Sequence, residues 1–200
     1  AVRLLAPPPL ATPLILREEP QGQRWQLLHG ERAVAEARPC AVTLLPPAPP
    51  SRAEAEEAAR RYRGRVHHPL PTCFVCGPQR REGDGLRIFA GPVDGRPMVA
   101  APWTPDATLA GRDGLVRPEF VWAALDCPGF FAVPLGGALA LLGELAARIE
   151  RPLPAGEPCV VTGWALGSEG RKHRSGTALF GADGGLVACA EATWVALKTA

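Results

Sequence analysis

Two stretches of the sequence repeat one pattern, and an internal repeat restricts the possible architectures of a chain more than any single motif does. Residues 2–16 align with residues 147–161 without a gap, and the alignment pairs Arg3, Pro7, Pro9 and Pro13 with Arg148, Pro152, Pro154 and Pro158. A second match places Ala35-Glu36-Ala37 on Ala190-Glu191-Ala192, so the later copy has ten extra residues in between. We expect a longer hairpin to contain them. The alternative is coincidence among Pro and Ala, which are both abundant in this chain.

The early copy is incomplete, because it lacks any counterpart of residues 67–146. We therefore expect its strands to present an apolar face that nothing in their own half covers. An upstream segment, the helix of the second half or a partner subunit would each supply the missing cover. We favour the upstream segment, since the chain begins at a predicted strand and its one methionine is Met98.

Composition and charge exclude several functional classes. The net charge is +2 and the one basic cluster is Arg171–Arg174, so we expect no nucleic-acid partner. The chain has no apolar run of the roughly 18 residues that cross a bilayer, and its first residues lack a signal-peptide pattern, so we expect no membrane partner. Most of the six cysteines lie in apolar surroundings, which is typical of buried thiols in a reducing compartment. We predict a cytoplasmic protein.

The first half is predicted to be a meander followed by one helix. Ser51 and Glu54 form a capping-box pattern at the start of a mostly polar helix, which we interpret as a solvated linker. Short apolar stretches separated by Pro or Gly predict strands at residues 2–6, 13–18, 24–28 and 32–44. The predicted domains are a partial repeat at residues 1–47, the linker helix at 48–66 and a complete domain at 67–200.

The second half is predicted to be a sheet around one buried helix. Pro118 begins an apolar helix that runs to Leu125, and Pro128 and Gly129 should break or kink it. Residues 138–149 have the composition of a helix, but the repeat aligns their end with a strand, and we predict a strand. A loop is predicted at residues 67–84, with further strands at 86–90, 97–103, 158–167, 173–180 and 185–197. This order gives an α+β layout.

Six short motifs in the second half carry a family resemblance. They are Cys73-Phe74-Val75-Cys76-Gly77, Gly85-Leu86, Gly114-Leu115-Val116, Ala123-Ala124-Leu125-Asp126, RPLPAGE at 151–157 and VACAEAT at 187–193. In this order they resemble the hotdog-fold thioesterases, especially the small acyl-CoA thioesterases of the phenylacetate-pathway type. The resemblance covers about residues 70–198. The resemblance implies a hotdog fold, in which an antiparallel sheet wraps around a central helix. The early copy adds a partial second hotdog repeat to this expectation.

Asp126 is the candidate catalytic residue. The resemblance implies that an acidic residue on the central helix acts as base or nucleophile toward the thioester, and Asp126 is the matching position. A carboxylate near the end of an apolar helix also loses hydration, so its pKa rises and it becomes a better base. Glu119 lies seven residues earlier, two turns along the same face, and is the second candidate. The alternatives are that Asp126 binds the backbone of the following turn and that Glu119 only complements the helix dipole.

One departure from the family pattern puts hydrolysis in doubt. Before the helix these thioesterases have Gly-x-Val-His-Gly-Gly, whose backbone N–H groups lie close to the thioester oxygen, whereas residues 114–119 here are GLVRPE. Pro118 has no N–H, and losing one such donor costs roughly 3 kcal/mol of transition-state stabilisation. Arg117 is predicted to compensate by its charge, or the fold binds an acyl group without cleaving it.

The remaining candidates concern binding. Trp122 either lines an acyl tunnel or fills the core. Arg171, Lys172 and Arg174 either hold the phosphates of CoA or form a solvated hairpin tip. The sequence predicts no metal and no cofactor. The alternative is a zinc site at Cys73, Cys76 and His68, although one CxxC motif supplies two of the four ligands that structural zinc needs.

These observations predict an acyl-CoA thioesterase-like protein that hydrolyses or binds an acyl thioester, with acyl-CoA or a related thioester as its partner. We expect a homo-oligomer. The alternatives are a non-catalytic acyl or acyl-CoA binding module and a structural dimerisation module.

Overall fold

An antiparallel sheet of ten strands runs through the part of the chain that this computed structural model describes, residues 1–20 and 22–198. The strands are β1 (Val2–Leu4), β2 (Ile15–Glu18), β3 (Trp25–His29), β4 (Arg32–Ala37), β5 (Gly91–Pro92), β6 (Val99–Trp103), β7 (Ala140–Ile149), β8 (Cys159–Glu169), β9 (Lys172–Phe180) and β10 (Leu186–Ala196). The helices are α1 (Arg52–Arg60), α2 (Pro118–Ala124) and α3 (Cys127–Ala132). Across the sheet the strand order is β2-β3-β4-β1-β7-β10-β9-β8-β6-β5. The first four strands therefore extend the sheet of the second half through the pairing of β1 with β7.

The two faces of the sheet pack against different helices, because side chains alternate along each strand. Val161 and Leu179 belong to the core beneath α2 and α3. Their neighbours Val160 and Ala178 point the other way, into a second core that also contains Ala55 and Ala58 of α1. The predicted capping box at Ser51 is present. We interpreted the helix that begins at this cap as a solvated linker, but one side of it packs on the sheet.

Gly163 allows α3 to lie directly on the sheet. A Cβ atom at this position of β8 would be 2.5 Å from the Pro128 carbonyl oxygen and 2.7 Å from the Pro128 carbonyl carbon. No real Cβ atom approaches a backbone group so closely. The glycine therefore sets the distance between α3 and the sheet.

The strand at residues 140–149 confirms the prediction made from the repeat against the local helix propensity. β7 lies between β1 and β10 and is hydrogen-bonded to both. Strand pairing on two sides supplies backbone partners that outweigh the weak intrinsic preference of Ala and Leu for a helix. The predicted strands at residues 158–167, 173–180 and 185–197 are also present, as β8, β9 and β10.

One predicted strand is wrong, and another is wrong in part. Residues 86–90 form no strand, since Arg87 has a φ of 55° that extended backbone does not allow. The segment instead donates Leu86 N–H to the Phe74 carbonyl oxygen and Ile88 N–H to the Val75 carbonyl oxygen, both at 2.8 Å. Residues 32–44 form a strand only as far as Ala37.

The helices are short, and α1 is the longest with nine residues. Within the described residues, no helix is long and apolar enough to span a membrane. A large sheet covered by helices is the α+β layout that we predicted.

Candidate active site at the junction of two helices

The central helix is broken into two parts at Asp126. Pro118 is the first residue of α2, where its missing N–H costs nothing. α2 ends at Ala124, because the ring of Pro128 is incompatible with a helical carbonyl four residues earlier and Pro128 has no N–H to donate. Asp126 then precedes α3, with φ of −79° and ψ of −81°. The break therefore lies before Pro128, two residues earlier than the sequence suggested.

Asp126 is half-buried, and one of its two carboxylate oxygens is fully buried. Its Oδ1 is inaccessible to solvent and has no hydrogen-bond partner among the described residues. Burial, with a smaller contribution from Cys73, raises the pKa of the Asp126 carboxyl to about 7. The carboxylate does not cap α3, so the bond to the following turn that was the alternative role of Asp126 is absent. A buried acceptor without a protein partner is costly, and with its raised pKa it makes Asp126 a candidate functional residue.

A hydrogen bond from strand β9 holds the junction of α2 and α3 in place. The buried Thr177 hydroxyl donates a 2.7 Å hydrogen bond to the Leu125 carbonyl oxygen, which α2 leaves unpaired at its end. Beside it, Trp194 Nε1 donates to the Ser175 hydroxyl at 3.1 Å. Both side chains of β9 lie beneath the residues that flank Asp126, so the sheet determines where the carboxylate lies.

Glu119 makes its polar contact with Arg117 and none with Asp126 among the described residues. Its side chain is 61% exposed, and its Oε1 lies 3.5 Å from Nε of Arg117. The guanidinium carbon of Arg117 also lies 4.7 Å from the centre of the Phe120 ring. α2 stops at Ala124, so residues 119 and 126 do not lie on one continuous helix, as their expected common face requires. Arg117 and Glu119 instead form a surface pair at the start of α2.

A cavity of about 410 Å³ opens beside the start of α2. Arg117, Pro118 and Val121 line one side, and Ile149 and Leu153 line the other. The Val116 N–H group donates to the Leu153 carbonyl oxygen at 2.8 Å, which holds the two walls together. Ile149 and Leu153 were not singled out from the sequence, although the RPLPAGE motif that contains Leu153 was. Trp122 is half-buried against the core and does not line this cavity.

The basic cluster lies elsewhere. Lys172 and Arg174 line a separate groove of about 610 Å³, together with Arg3, Leu4 and Glu144. Arg174 pairs with Glu191 at 3.1 Å, and the Arg171 guanidinium donates to the Ala196 carbonyl oxygen at 3.0 Å. These cations therefore do not join Arg117 around one ligand in this chain.

A cluster of three cysteines lies next to the junction. The sulfur atoms of Cys73, Cys76 and Cys127 lie within 4.8 Å of one another, and His68 Nε2 is 3.2 Å from the Cys76 sulfur. Hydrogen bonds from the Cys127 and Cys76 thiols lower the pKa of Cys73. The sequence identified Cys73, Cys76 and His68 but not Cys127, whose place in the chain gives no spacing signal.

Comparison with solved structures identifies the fold. A thioesterase superfamily protein matches with a TM-score of 0.55 and 24% sequence identity, over 62% of this chain and 60% of that one. The PaaI protein from the phenylacetic acid degradation operon of E. coli matches with a TM-score of 0.56 and 12% identity, over 72% of this chain and 96% of that one. This chain therefore spans 60% of the length of the first protein. No protein-family model matches the sequence, and no curated protein does. These likenesses confirm the predicted hotdog fold.

Proposed function

We propose that this hotdog chain binds an acyl thioester and hydrolyses it, with Asp126 as the base that activates water. The observation that carries the proposal is the sealed, unpartnered Oδ1 of Asp126 at the break of the central helix. A soluble domain gains no stability from such an oxygen, because its lost hydration is not replaced. A proton taken from water would supply the missing partner. The likeness of the fold to a thioesterase superfamily protein and to the PaaI protein adds support.

The proposed reaction is a balanced hydrolysis in which Asp126 acts at the junction and Arg117 acts from the start of α2. Asp126 removes a proton from water as the water oxygen bonds to the thioester carbon, and the C–S bond then breaks to release the carboxylic acid and the thiolate. The proton held by Asp126 returns to the thiolate. After the water oxygen bonds and before the C–S bond breaks, negative charge develops on the carbonyl oxygen. Pro118 has no N–H group to donate to it. Arg117, the cation at the start of α2, is the group we assign to that charge.

The cavity beside α2 is the candidate binding site for the acyl thioester. Val121, Ile149 and Leu153 give it apolar walls, and Arg117 gives it one cation. An apolar cavity with a single charged group suits an acyl chain whose polar end lies at the rim. Asp126 is not among the residues that line it, so the thioester group must extend from this cavity toward the junction for the water activated by Asp126 to reach its carbonyl carbon.

Binding without hydrolysis is the second candidate function. Residues 117–119 favour it, because Arg-Pro-Glu replaces the amide donors that stabilise the oxyanion in the family pattern. The two candidates share a ligand but differ in whether free thiol appears.

A panel of acyl-CoA thioesters of increasing chain length distinguishes the two. For hydrolysis, we expect a thiol-reactive dye to record free CoA in proportion to protein concentration, with saturation at high substrate. Saturable binding by calorimetry without thiol release would instead select the binding module. Neither turnover nor binding with any member of the panel would remove both candidates.

We also propose that β1–β4 are a partial second hotdog unit, as the sequence repeat suggested. The strand order reads β2-β3-β4-β1 on one side of the β1/β7 pair and β8-β9-β10-β7 on the other, so each strand has a counterpart at the same distance from that pair. Residues 1–47 would then form the incomplete unit, with residues 67–200 as the complete one.

The strand register supports this correspondence. Aligning Arg3 with Arg148 and Leu16 with Val161 makes the β1/β4 pair Arg3↔Glu36 equivalent to Arg148↔Cys189. The same alignment makes Leu16↔Leu27 equivalent to Val161↔Leu179. A bulge follows at the same place in both hairpins. In the first, the pairing changes from Leu27↔Ala35 to Leu28↔Ala33. In the second, it changes from Leu179↔Ala188 to Phe180↔Leu186. Ala35 thus corresponds to Ala188 rather than to Ala190, two residues from our sequence alignment and on the same face.

The correspondence accounts for an exposed apolar row. Leu4, Ala35, Leu27 and Leu16 are directly paired across four strands, so they share one face. In the other unit the matching face lies beneath α2 and α3. Leu4 and Leu16 are 44% and 69% exposed.

An experimental structure tests the partial repeat. One rotation close to a half-turn should superimpose β1, β2, β3 and β4 on β7, β8, β9 and β10 with the pairs above in register. A slip by an odd number of residues in any strand would reverse its faces and contradict the proposal.

A further inference from the structure

Three sulfur atoms converge where the loop at residues 67–84 meets α3. Those of Cys73, Cys76 and Cys127 all lie within 4.8 Å of one another, and Cys73 and Cys127 are 3.6 Å apart. Tetrahedral zinc with Zn–S bonds of about 2.3 Å places its sulfur ligands about 3.8 Å apart. The observed spacing is therefore close to that of a metal site.

The turn that carries two of these cysteines is held by its own backbone. Gly77 N–H donates to the Cys73 carbonyl oxygen at 2.9 Å, and a Cβ atom on Gly77 would lie 2.5 Å from the Cys73 nitrogen and oxygen. The Phe74 and Val75 carbonyl oxygens accept the N–H groups of Leu86 and Ile88. Cys127, by contrast, is the first residue of α3. The ligands thus come from two rigid segments that are far apart in sequence, which is typical of structural metal sites.

His68 is the candidate for the fourth donor; it lies beside Cys76, but its ring nitrogens do not lie within 4.8 Å of all three sulfur atoms. Its Nε2 is 3.2 Å from the Cys76 sulfur, and tetrahedral zinc places nitrogen and sulfur ligands about 3.5 Å apart. Nδ1 accepts the Leu70 N–H group at 2.9 Å. A neutral imidazole that binds metal through Nε2 carries its proton on Nδ1, so metal binding must replace the Leu70 contact. The ring lies 6.2 Å from that of Tyr62 and 5.8 Å from that of Phe131, centre to centre, so it is near two aromatic side chains.

We propose that Cys73, Cys76, Cys127 and His68 bind one zinc ion, which fastens the loop to the start of α3. Thiolate ligands with one imidazole select zinc over magnesium or calcium, which prefer oxygen. The buried position of Cys76 and Cys127 excludes the water that a catalytic zinc would need. The site is independent of thioester hydrolysis, although it adjoins Asp126.

Metal content of the full-length protein tests the site. We expect one zinc per chain in protein purified without chelator, measured by elemental analysis. Cys127→Ala should lose it. The matched control Cys189→Ala, which removes a buried cysteine from the opposite core, should keep it. Cobalt added to zinc-free wild-type protein should give the absorption of a tetrahedral thiolate site, a readout that does not depend on a variant folding.

The ligand set has its own test. X-ray absorption at the zinc edge should give three sulfurs and one nitrogen, and His68→Ala should replace the nitrogen with oxygen or weaken binding at least tenfold in competition with a chelating dye. Unchanged affinity in that variant would remove His68 from the set. Two results would overturn the site itself. One is wild-type protein that remains folded, binds neither zinc nor cobalt and titrates with all its thiols. The other is a protein mass two daltons low with a Cys73–Cys127 or Cys73–Cys76 disulfide.

Discussion

Replacing Asp126 by Asn should lower kcat/KM for the best acyl-CoA substrate by about 10²- to 10⁴-fold, the usual contribution of a general base. The amide has the size of the carboxylate but cannot accept a proton from water. Loss of a proton acceptor should lower kcat and kcat/KM together, because the interaction is made in the transition state. The free-thiol assay measures both constants.

Stability separates this effect from misfolding. Oδ1 of Asp126 has no partner to lose, so the free energy of unfolding in urea should not fall in Asp126→Asn. Glu57→Gln on the outer surface of α1 is the matched control, since its carboxylate pairs only with Arg60 and lies on the other face of the sheet. It should keep both activity and stability. An Asp126→Asn protein with full activity would remove Asp126 from the reaction.

Adding one methyl group at Gly163 should destabilise the protein by about 3 kcal/mol, at the upper end of the range for overpacking in a core. In Gly163→Ala the new Cβ would lie 2.5 Å from the Pro128 carbonyl oxygen, and neither the strand backbone nor the helix backbone yields easily. α3 must then move off β8. Because Asp126 immediately precedes α3, we also expect lower activity in the folded fraction. Urea unfolding monitored by tryptophan fluorescence gives the free energy.

Gly143→Ala is the matched control for this change. It is also a strand glycine, but its nearest contact is the Val195 Cγ2 atom at 3.2 Å, on a side chain that can adjust. We expect a loss below about 1 kcal/mol. Equal losses in the two variants would show that α3 does not rest on Gly163 in the way described.

The repeat predicted more of the fold than local propensity did. Residues 140–149 have the composition of a helix, yet their alignment with residues at the start of the chain identified them as a strand, and β7 confirms it. Propensity differences of a few tenths of a kcal/mol per residue are smaller than the gain from pairing on both edges. The strand predicted at residues 86–90 is wrong because the prediction relied on the local apolar pattern. Their apolar pattern reflects burial, while Arg87 at positive φ prevents strand geometry.

The candidate site was predicted unevenly. Asp126 was identified from its motif, and its role stays a prediction. Glu119 was paired with it on the assumption of one continuous helix, which the break before Asp126 invalidates. Cys127 could not be added to Cys73 and Cys76, because it lies in a helix far along the chain and only the packing of that helix brings its sulfur within 3.6 Å of Cys73.

The sequence by itself determined the elements whose signals are local or repeated: the capped helix α1, the proline that begins α2, the long strands of the second half and the Asp-Gly turn between β5 and β6. Tertiary structure alone decided that Asp126 is left with an unpartnered oxygen and which three cysteines meet. The physical reason is that turns, caps and strand periodicity depend on neighbours within a few residues. Burial and the convergence of side chains depend instead on contacts between segments that the sheet brings together, here β8 and β9 beneath the junction of α2 and α3.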